Sequence, residues 1–144
     1  MTSNDVMIAE FYKDKTILMT GCTGFVGKVV LEKFIRCIPE FKRIYVLVRP
    51  KRGTKPIDRI WKDIFSSQCF DVVRRQHNFL NIVNTKIVPI EGDICKDLLA
   101  IKPEDRQVLS QELNVIINIA ASVDFNERIC DALQINYFGC VRML

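Results

Sequence analysis

Three regularly spaced glycines stand early in the chain, in the segment Thr20-Gly21-Cys22-Thr23-Gly24-Phe25-Val26-Gly27. In a dinucleotide-binding loop, the first glycine permits a tight turn, the second lets the backbone approach a pyrophosphate, and the third lets a helix pack closely on a strand. The free N–H groups at the start of that helix would hold the phosphates. A purely structural turn is the alternative, because glycines also serve turns that bind nothing. The apolar segment before the glycines and the amphipathic segment after them favour the dinucleotide loop.

A basic cluster follows the second apolar segment, at the place about twenty residues beyond the glycines where an NAD site usually carries Asp or Glu. This chain has Arg49 there, followed by Lys51 and Arg52. A carboxylate would repel the 2′-phosphate of NADP, whereas a guanidinium group can bind that phosphate through two hydrogen bonds. The sequence therefore predicts NADPH rather than NADH as the cofactor.

The basic run continues through Lys55, Arg59 and Lys62. Two interpretations of these outer residues stay open: a solvated helical face, and contact with a second phosphorylated ligand. Nucleic acid is not expected as a partner, because no aromatic residues that could stack on bases are interleaved with these charges.

Polar and small residues end the third and fourth apolar segments. Asp93 can accept a hydrogen bond from the amino group of an adenine, while Ile94 covers one face of the ring; a polar turn is the alternative. Ala120 and Ala121 are small enough to let the cofactor ribose pass closely; ordinary alanine packing is the alternative. The two segment ends are thus candidate walls of one cofactor site.

Asn136 shares one face of a predicted helix with Leu133 and Cys140. This spacing predicts that Asn136 faces inward, where a buried amide needs hydrogen-bond partners. A core asparagine and a residue that supports an active site both fit the pattern.

No catalytic Tyr/Lys pair is present in these 144 residues. Reductases of the short-chain dehydrogenase type place a lysine four residues after a tyrosine, and the lysine lowers the pKa of the tyrosine that passes a proton to the substrate. Here the residues four positions after Tyr12, Tyr45 and Tyr137 are threonine, arginine and valine. A metal site is not expected either, since the six cysteines form no C-x-x-C pair and the chain has one histidine. The cysteines are expected to be small apolar residues in or near the core.

The elements that must position these residues follow from hydrophobic periodicity. Apolar segments predict strands over 15–20, 43–48, 86–91 and 113–120, and helices are predicted from Gly27 to Pro39, over about 57–80, from Pro103, and over 128–144. On the first of these helices, the apolar face is predicted to hold Val26, Val29, Val30, Phe34, Cys37 and Ile38, with Lys28, Glu32 and Arg36 opposite. The alternation of strands and helices predicts an α/β fold of the Rossmann type, a doubly wound parallel sheet with the strand order 3-2-1-4. With about four strands the sheet is incomplete.

Composition fits a single folded domain over residues 1–144, because 49% of the residues are hydrophobic and 26% are charged. No apolar stretch is long enough to cross a membrane. The polar start, residues 1–5, lacks the order of a secretory signal, so a cytoplasmic location is predicted. We interpret the chain as a truncated sequence, because it ends inside a predicted helix without a cap.

On these residues, the chain resembles the N-terminal part of the fatty acyl-CoA reductases of the extended short-chain dehydrogenase/reductase superfamily, and the insect enzymes in particular. The matching segments are Glu10-Phe11-Tyr12, the loop from Thr20 to Gly27, the segment from Ile44 to Gly53, Gly92-Asp93-Ile94, Ala120-Ala121, and the segment from Ile135 to Gly139. Among them, Arg49-Pro50-Lys51 is the most specific, whereas the glycine loop alone indicates only the superfamily. Asn118, Asp124 and Cys140 depart from the histidine, basic residue and threonine that are usual in the family.

The resemblance implies NADPH-dependent reduction of a long-chain fatty acyl-CoA to an aldehyde with loss of CoA, and then to the fatty alcohol. It implies cofactor contacts for Gly21, Thr23, Gly24, Phe25, Val26, Gly27, Arg49, Arg52, Asp93, Ile94, Ala120 and Ala121, and a supporting active-site role for Asn136. In the family, the Tyr/Lys pair, the acyl pocket and a C-terminal region that is often membrane-associated lie beyond the position of Leu144. Membrane association, at the cytosolic face of the endoplasmic reticulum or peroxisome, is therefore expected only through that region, and these residues alone are expected to be inactive.

Two other interpretations stay open at this stage. One is a different extended short-chain reductase, acting on carrier-bound thioesters or on nucleotide sugars. The other is a non-catalytic cofactor-binding or interaction module, and self-association into a homo-oligomer is compatible with either.

Overall fold

Four parallel strands form a single sheet in a computed structural model of the chain, which describes residues 3–144. The strands are β1 (Thr16–Met19), β2 (Arg43–Val48), β3 (Ile87–Glu91) and β4 (Val115–Ile117). Their order, β3-β2-β1-β4, confirms the predicted order 3-2-1-4 and the Rossmann-type class. Met1 and Thr2, which begin the polar start, lie outside the described residues.

Helices connect the strands and cover the sheet. The α-helices are α1 (Ser3–Tyr12), α2 (Phe25–Cys37), α3 (Pro56–Arg59), α4 (Phe79–Lys86), α5 (Pro103–Glu112), α6 (Ile129–Asn136) and α7 (Phe138–Val141). A π-helix, Ile60–Phe65, continues α3, and short 3₁₀ turns lie at Gln68–Phe70, Val73–Arg75 and Asp97–Ala100. Within the described residues, no helix combines the length and the apolar character needed to cross a bilayer.

The sheet separates two hydrophobic clusters. Successive side chains of a strand point to opposite faces, so Ile17 and Met19 of β1 join one cluster and Leu18 joins the other. The first cluster also contains Leu31 and Phe34 of α2, together with the aromatic side chains of Phe65, Phe70 and Phe79. All four residues of β1 are buried, as expected for a central strand of a parallel sheet that is covered on both faces.

The predicted apolar face of α2 is partly wrong. Val26, Val29 and Cys37 are exposed, whereas Leu31 and Ile35 are buried with Phe34. Glu32, which the sequence placed on the polar face, is only 7% exposed. Its burial is compensated by Arg36, one turn along, whose Nε donates to Oε1 at 2.6 Å and whose second nitrogen donates to Oε2 at 3.2 Å.

Three other predicted elements differ in extent from the observed ones. The helical stretch over about 57–80 is a series of short turns, from α3 through the π-helix to the start of α4. The last helix is divided at Tyr137, whose φ of −111° and ψ of −64° interrupt the helical geometry between α6 and α7. The fourth strand ends at Ile117, because the residues from Asn118 onward leave the ladder and bond to the end of β1 instead.

Candidate cofactor-binding site

A cavity of about 300 Å³ lies at the carboxyl ends of the strands, where open α/β sheets bind their ligands. Its wall contains residues from the end of every strand, together with Ile135 of α6. The lining residues are Thr20, Gly21, Thr23, Gly24, Leu47, Val48, Arg49, Arg59, Gly92, Asp93, Ile94, Cys95, Ile119, Ala120, Ala121 and Ile135. The four segments that the sequence nominated for a cofactor therefore meet at one place.

Each glycine of the loop meets a different requirement. Gly21 has a φ of +71°, and a Cβ there would lie 2.6 Å from the backbone nitrogen of Ala120, so the end of β4 can approach the loop only because Gly21 has no side chain. A Cβ on Gly27 would lie 2.6 Å from the carbonyl carbon of Gly21 and 2.7 Å from Cα of Cys22, so this glycine lets α2 pack on the loop. Gly24 has an ordinary φ of −81°, and its N–H donates to the Gly21 carbonyl at 3.0 Å.

The start of α2 suits an anion. Gly24 occupies the N-cap position and lines the cavity, and no side chain caps the helix. The first turn carries no acidic residue. The first N–H groups of a helix lack partners within the helix, and the helix dipole is positive at this end. A phosphate in the cavity would supply the acceptors that the cap does not provide.

Two arginines line the same cavity near the end of β2. Arg49 is exposed, and Arg59 reaches the strand end from α3, where its Nη1 donates to the Arg49 carbonyl oxygen. The Arg59 Nε donates to Oδ2 of Asp63 at 3.1 Å, which fixes the plane of the guanidinium group. The sequence placed Arg59 in a general basic run and did not nominate it for the cofactor. The available signal was Gly53 followed by Pro56, a turn and a helix start that fold the chain back toward Arg49.

Asp93 begins a turn after β3, the strand next to β2 in the sheet. Its Oδ1 accepts a hydrogen bond from the backbone N–H of Cys95 at 2.9 Å, and its own N–H donates to the Leu99 carbonyl at 2.7 Å. Ile94 is buried beside it. Burial and the Asp93 carboxylate raise the pKa of the Cys95 thiol, against the opposing effect of the positive charges on Arg49 and Arg142.

A hydrogen-bond network joins the end of β1 to the end of β4. The Thr20 hydroxyl accepts from the N–H groups of Ile119 and Ala120, both at 3.2 Å, and donates to Oδ1 of Asn118. The Asn118 Nδ2 in turn donates to Sγ of Cys140 at 3.0 Å. Asn118 and Cys140 are thus in contact with each other.

Asn136 is exposed, so the prediction that it faces the interior is wrong. Both polar atoms of its amide are nevertheless hydrogen-bonded: Oδ1 accepts from the N–H of Ser122 at 2.8 Å, and Nδ2 donates to the Ser122 carbonyl at 3.0 Å. The two bonds fix the backbone that follows Ala121. The periodicity of the last helix suggested burial because α6 carries apolar residues on a face that remains open to solvent.

The structure does not bring every nominated residue to the cavity. Phe25 is 84% exposed, and Val26 and Arg52 are also exposed and lie outside the lining. Gly27 is buried behind the loop and shapes it only indirectly. The expectation of buried cysteines is also only partly met, since Cys22 is buried whereas Cys37, Cys130 and Cys140 are exposed.

A family model described as "Male sterility protein" matches residues 19–144, which include the glycine loop and all the strand ends that line the cavity. The chain belongs to the male sterility protein family. This NAD-binding family assignment confirms the resemblance inferred from the glycine loop and the Arg49-Pro50-Lys51 segment.

Curated relatives and solved structures agree with the male sterility family assignment. Fatty acyl-CoA reductase 1 of Mus musculus is 42% identical over 139 residues, which are 96% of this chain and 26% of that protein. Fatty acyl-CoA reductase 2, chloroplastic, of Arabidopsis thaliana is 34% identical over 92% of this chain and 22% of its own length. The terminal R domain of the myxalamid PKS-NRPS pathway has a TM-score of 0.72 at 31% identity and covers 91% of this chain and 31% of its own. The chain thus spans about a quarter of the length of the curated relatives it matches.

Proposed function

We propose that this chain is the NADPH-binding part of an alcohol-forming fatty acyl-CoA reductase. The observation that carries the proposal is one cavity with a glycine loop and an uncapped helix start on one wall and two arginines, Arg49 and Arg59, on another. The relatives named fatty acyl-CoA reductases supply the substrate class.

The residues present fit an NADP nucleotide. The cavity volume is at the lower end of the range of about 300–1,000 Å³ that is usual for ligand pockets. The Gly21 and Gly24 backbone with the start of α2 would hold the pyrophosphate, and Ala120 with Ala121 leaves room for a ribose. One carboxylate oxygen of Asp93 is bonded to Cys95, and the other is left to accept from an adenine amino group.

The choice of NADPH over NADH rests on charge at the end of β2. Arg49 and Arg59 both line the cavity there, and Arg59 is held in place by Asp63 and by the Arg49 carbonyl. A pre-oriented guanidinium group loses little freedom when it binds a phosphate, which favours a bidentate contact with the 2′-phosphate. Arg59 therefore joins Arg49 as a proposed 2′-phosphate ligand.

Two NADPH molecules, bound one after the other, would supply one hydride each: the first would convert a thioester into an aldehyde with release of CoA, and the second would convert the aldehyde into an alcohol. The contribution of this chain is to orient the nucleotide. Thr20 and Gly21 fix the position of Ala120, and Asn136 fixes Ser122, so the segment after β4 is held rigidly at the cavity.

The activity is tested by supplying the full-length protein with palmitoyl-CoA and NADPH and measuring free CoA and hexadecanol. Both products are expected, with two NADPH consumed for each alcohol. Hexadecanal without hexadecanol would restrict the function to the first reduction, and the absence of CoA release would refute the proposal.

A reductase of carrier-bound thioesters is the second candidate. It is favoured by the likeness to the myxalamid R domain and to a thiolation-reductase di-domain from an archaeal non-ribosomal peptide synthetase, the latter with a TM-score of 0.69 at 27% identity over 91% of this chain. Palmitoyl-CoA and a palmitoylated acyl carrier protein, offered at equal concentration, separate the two candidates. A much larger kcat/KM for the carrier-bound substrate would favour the second.

A further inference from the structure

Helices α6 and α7 contact the cavity at two separate points. Ile135 of α6 lines it, and Asn136 holds the backbone of Ser122 after β4. At the other end, α7 reaches the segment after β3, which carries Asp93 and Ile94. The helix pair therefore spans the two loops between which the adenine half of the proposed cofactor would lie.

Arg142, one residue beyond α7, makes the second contact. Its Nη1 donates to the Ile94 carbonyl at 3.3 Å, and its Nη2 donates to Oε1 of Gln134 at 2.8 Å. Its Nε lies 3.7 Å from Oδ1 of Asp97, and the guanidinium carbon lies 5.8 Å from the ring centroid of Phe138. The side chain is only 21% exposed. Arg142 thus bonds to α6, stacks on α7 and binds the cavity loop at once.

The side chain of Ile94 is held from the same direction by Gly139 of α7. A Cβ at Gly139 would lie 3.2 Å from Cδ1 of Ile94, which is closer than ordinary van der Waals contact. Gly139 is buried, as is Ile94. The side chain of Ile94 is therefore packed against α7, and its backbone carbonyl is bound by Arg142, which directly follows α7.

We propose that Arg142 is a positioning residue for the adenine subsite, acting through Ile94. This inference rests on the proposed NADPH-binding function. Arg142 does not line the cavity, so its effect is on the place that Ile94 takes against the base and not on a direct contact with the nucleotide.

The test compares nucleotide binding by the full-length protein and its Arg142→Met variant, which keeps an apolar stem over Phe138. Binding is measured by calorimetry with NADPH and with adenosine 2′,5′-bisphosphate, which has the adenine and the 2′-phosphate but no nicotinamide. Loss of the hydrogen bond to the Ile94 carbonyl should weaken both ligands by the same factor, about threefold to tenfold. With saturating NADPH, kcat and the KM for palmitoyl-CoA should be unchanged, and Arg142→Lys should recover part of the affinity.

Arg128→Met is the matched control. Arg128 precedes α6, its side chain bonds only to Asp131 among the described residues, at 2.8 Å and 3.2 Å, and that side chain is 83% exposed. This variant should bind both nucleotides as the unaltered protein does. Gly139→Ala provides an independent route, because alanine is favoured over glycine in a helix and its methyl group would press on Ile94. It should also weaken adenosine 2′,5′-bisphosphate binding.

The outcomes separate this inference from the proposed function. If the unaltered protein binds neither nucleotide, the proposed function fails and the inference fails with it. If the unaltered protein binds both, but Arg142→Met binds adenosine 2′,5′-bisphosphate normally, the inference alone is overturned, whatever Gly139→Ala does. It is also overturned if Arg142→Met changes kcat or the KM for palmitoyl-CoA as much as it changes nucleotide affinity, since that pattern indicates general structural damage.

Discussion

At the scale of single residues, Arg49 carries most of the argument for NADPH. Arg49→Gln should weaken NADPH binding by about 1.5–3 kcal/mol, because a charge-assisted contact with the 2′-phosphate is lost. NADH lacks that phosphate, so its affinity should stay the same. Both affinities are measured by calorimetry on the full-length protein.

Arg52→Gln is the natural comparison for Arg49→Gln, because Arg52 is nearby in sequence and has the same charge but lies outside the cavity lining. NADPH affinity should change little. Equal losses in the two variants would show that the general positive potential of the segment, and not a specific contact of Arg49, attracts the nucleotide.

Cys22 provides a prediction on pH. Burial raises the pKa of its thiol from the ordinary value of 9.0 to about 12. Between these two values the unfolded chain loses the proton while the folded chain keeps it, so the folded state binds more protons and stability falls as the pH rises. Urea unfolding measured from pH 8 to pH 11 should show a smaller decline for Cys22→Ala than for the unaltered protein. Parallel declines would contradict the assignment.

The sequence predicted which residues line the cavity most accurately where a single residue at a strand end is enough to indicate the position. Gly21, Arg49, Asp93 and Ala120 were nominated in this way, and the structure places all four on the cavity. Arg59 was not nominated, because its position depends on a chain reversal whose geometry a local pattern does not give. The burial of Asn136 was wrong because helical periodicity reports which residues share a face, but not whether another element covers that face.

At the scale of elements, substitutions at Gly27 and Gly24 separate the packing of α2 from its proposed role in phosphate binding. Gly27 lets α2 pack on the loop, and Gly24 lines the cavity. Gly27→Ala should destabilise the protein by about 3 kcal/mol, the upper end for overpacking, because the added methyl group would meet backbone atoms of Gly21 and Cys22 that cannot move aside. Gly24→Ala should change the free energy of unfolding by less than about 1 kcal/mol, since its φ is ordinary and its Cβ would lie 3.3 Å from the Gly21 oxygen. Urea denaturation measures both.

Gly24→Ala should weaken NADPH binding, although it changes the free energy of unfolding little. Gly24 lines the cavity at the start of α2, so a methyl group there would occupy space that the proposed pyrophosphate needs. A Gly24→Ala protein that is stable and binds NADPH with unchanged affinity would contradict the phosphate role of the loop.

Strands and helices were predicted more accurately where all their residues share one environment. The bounds of β2 agree with the prediction because a strand covered on both faces contains an uninterrupted apolar run, here residues 44–48, which Arg43 precedes and Arg49 follows. The buried face of α2 was predicted less accurately. The charge of Glu32 suggested exposure, but Glu32 is buried and is paired with Arg36 of the same helix. The stretch over 57–80 could not be assigned correctly because a π-helix and two 3₁₀ turns have no single period.

At the scale of the whole molecule, the exposed apolar side chains concentrate in the segment from Val123 to Leu144. Phe125 is fully exposed, and Ile129, Leu133, Tyr137 and Val141 are also exposed. Exposed patches of this kind favour association. Residues 1–144 produced alone should therefore associate as concentration rises, which light scattering measures. The double variant Phe125→Ser, Ile129→Ser should associate less. If residues 1–144 stay monomeric at high concentration, this exposed apolar surface does not drive association.

Binding and chemistry should also separate in residues 1–144 produced alone. The cavity is formed by the ends of all four strands, so these residues should bind adenosine 2′,5′-bisphosphate, more weakly than the full-length protein if further contacts order the loops. They should release no CoA from palmitoyl-CoA, because none of the three tyrosines is followed by a lysine at the fourth position and no group of this type is available to deliver the proton. Calorimetry and a thiol assay on the same sample measure the two properties. CoA release by these residues would mean that a different proton donor operates within the chain.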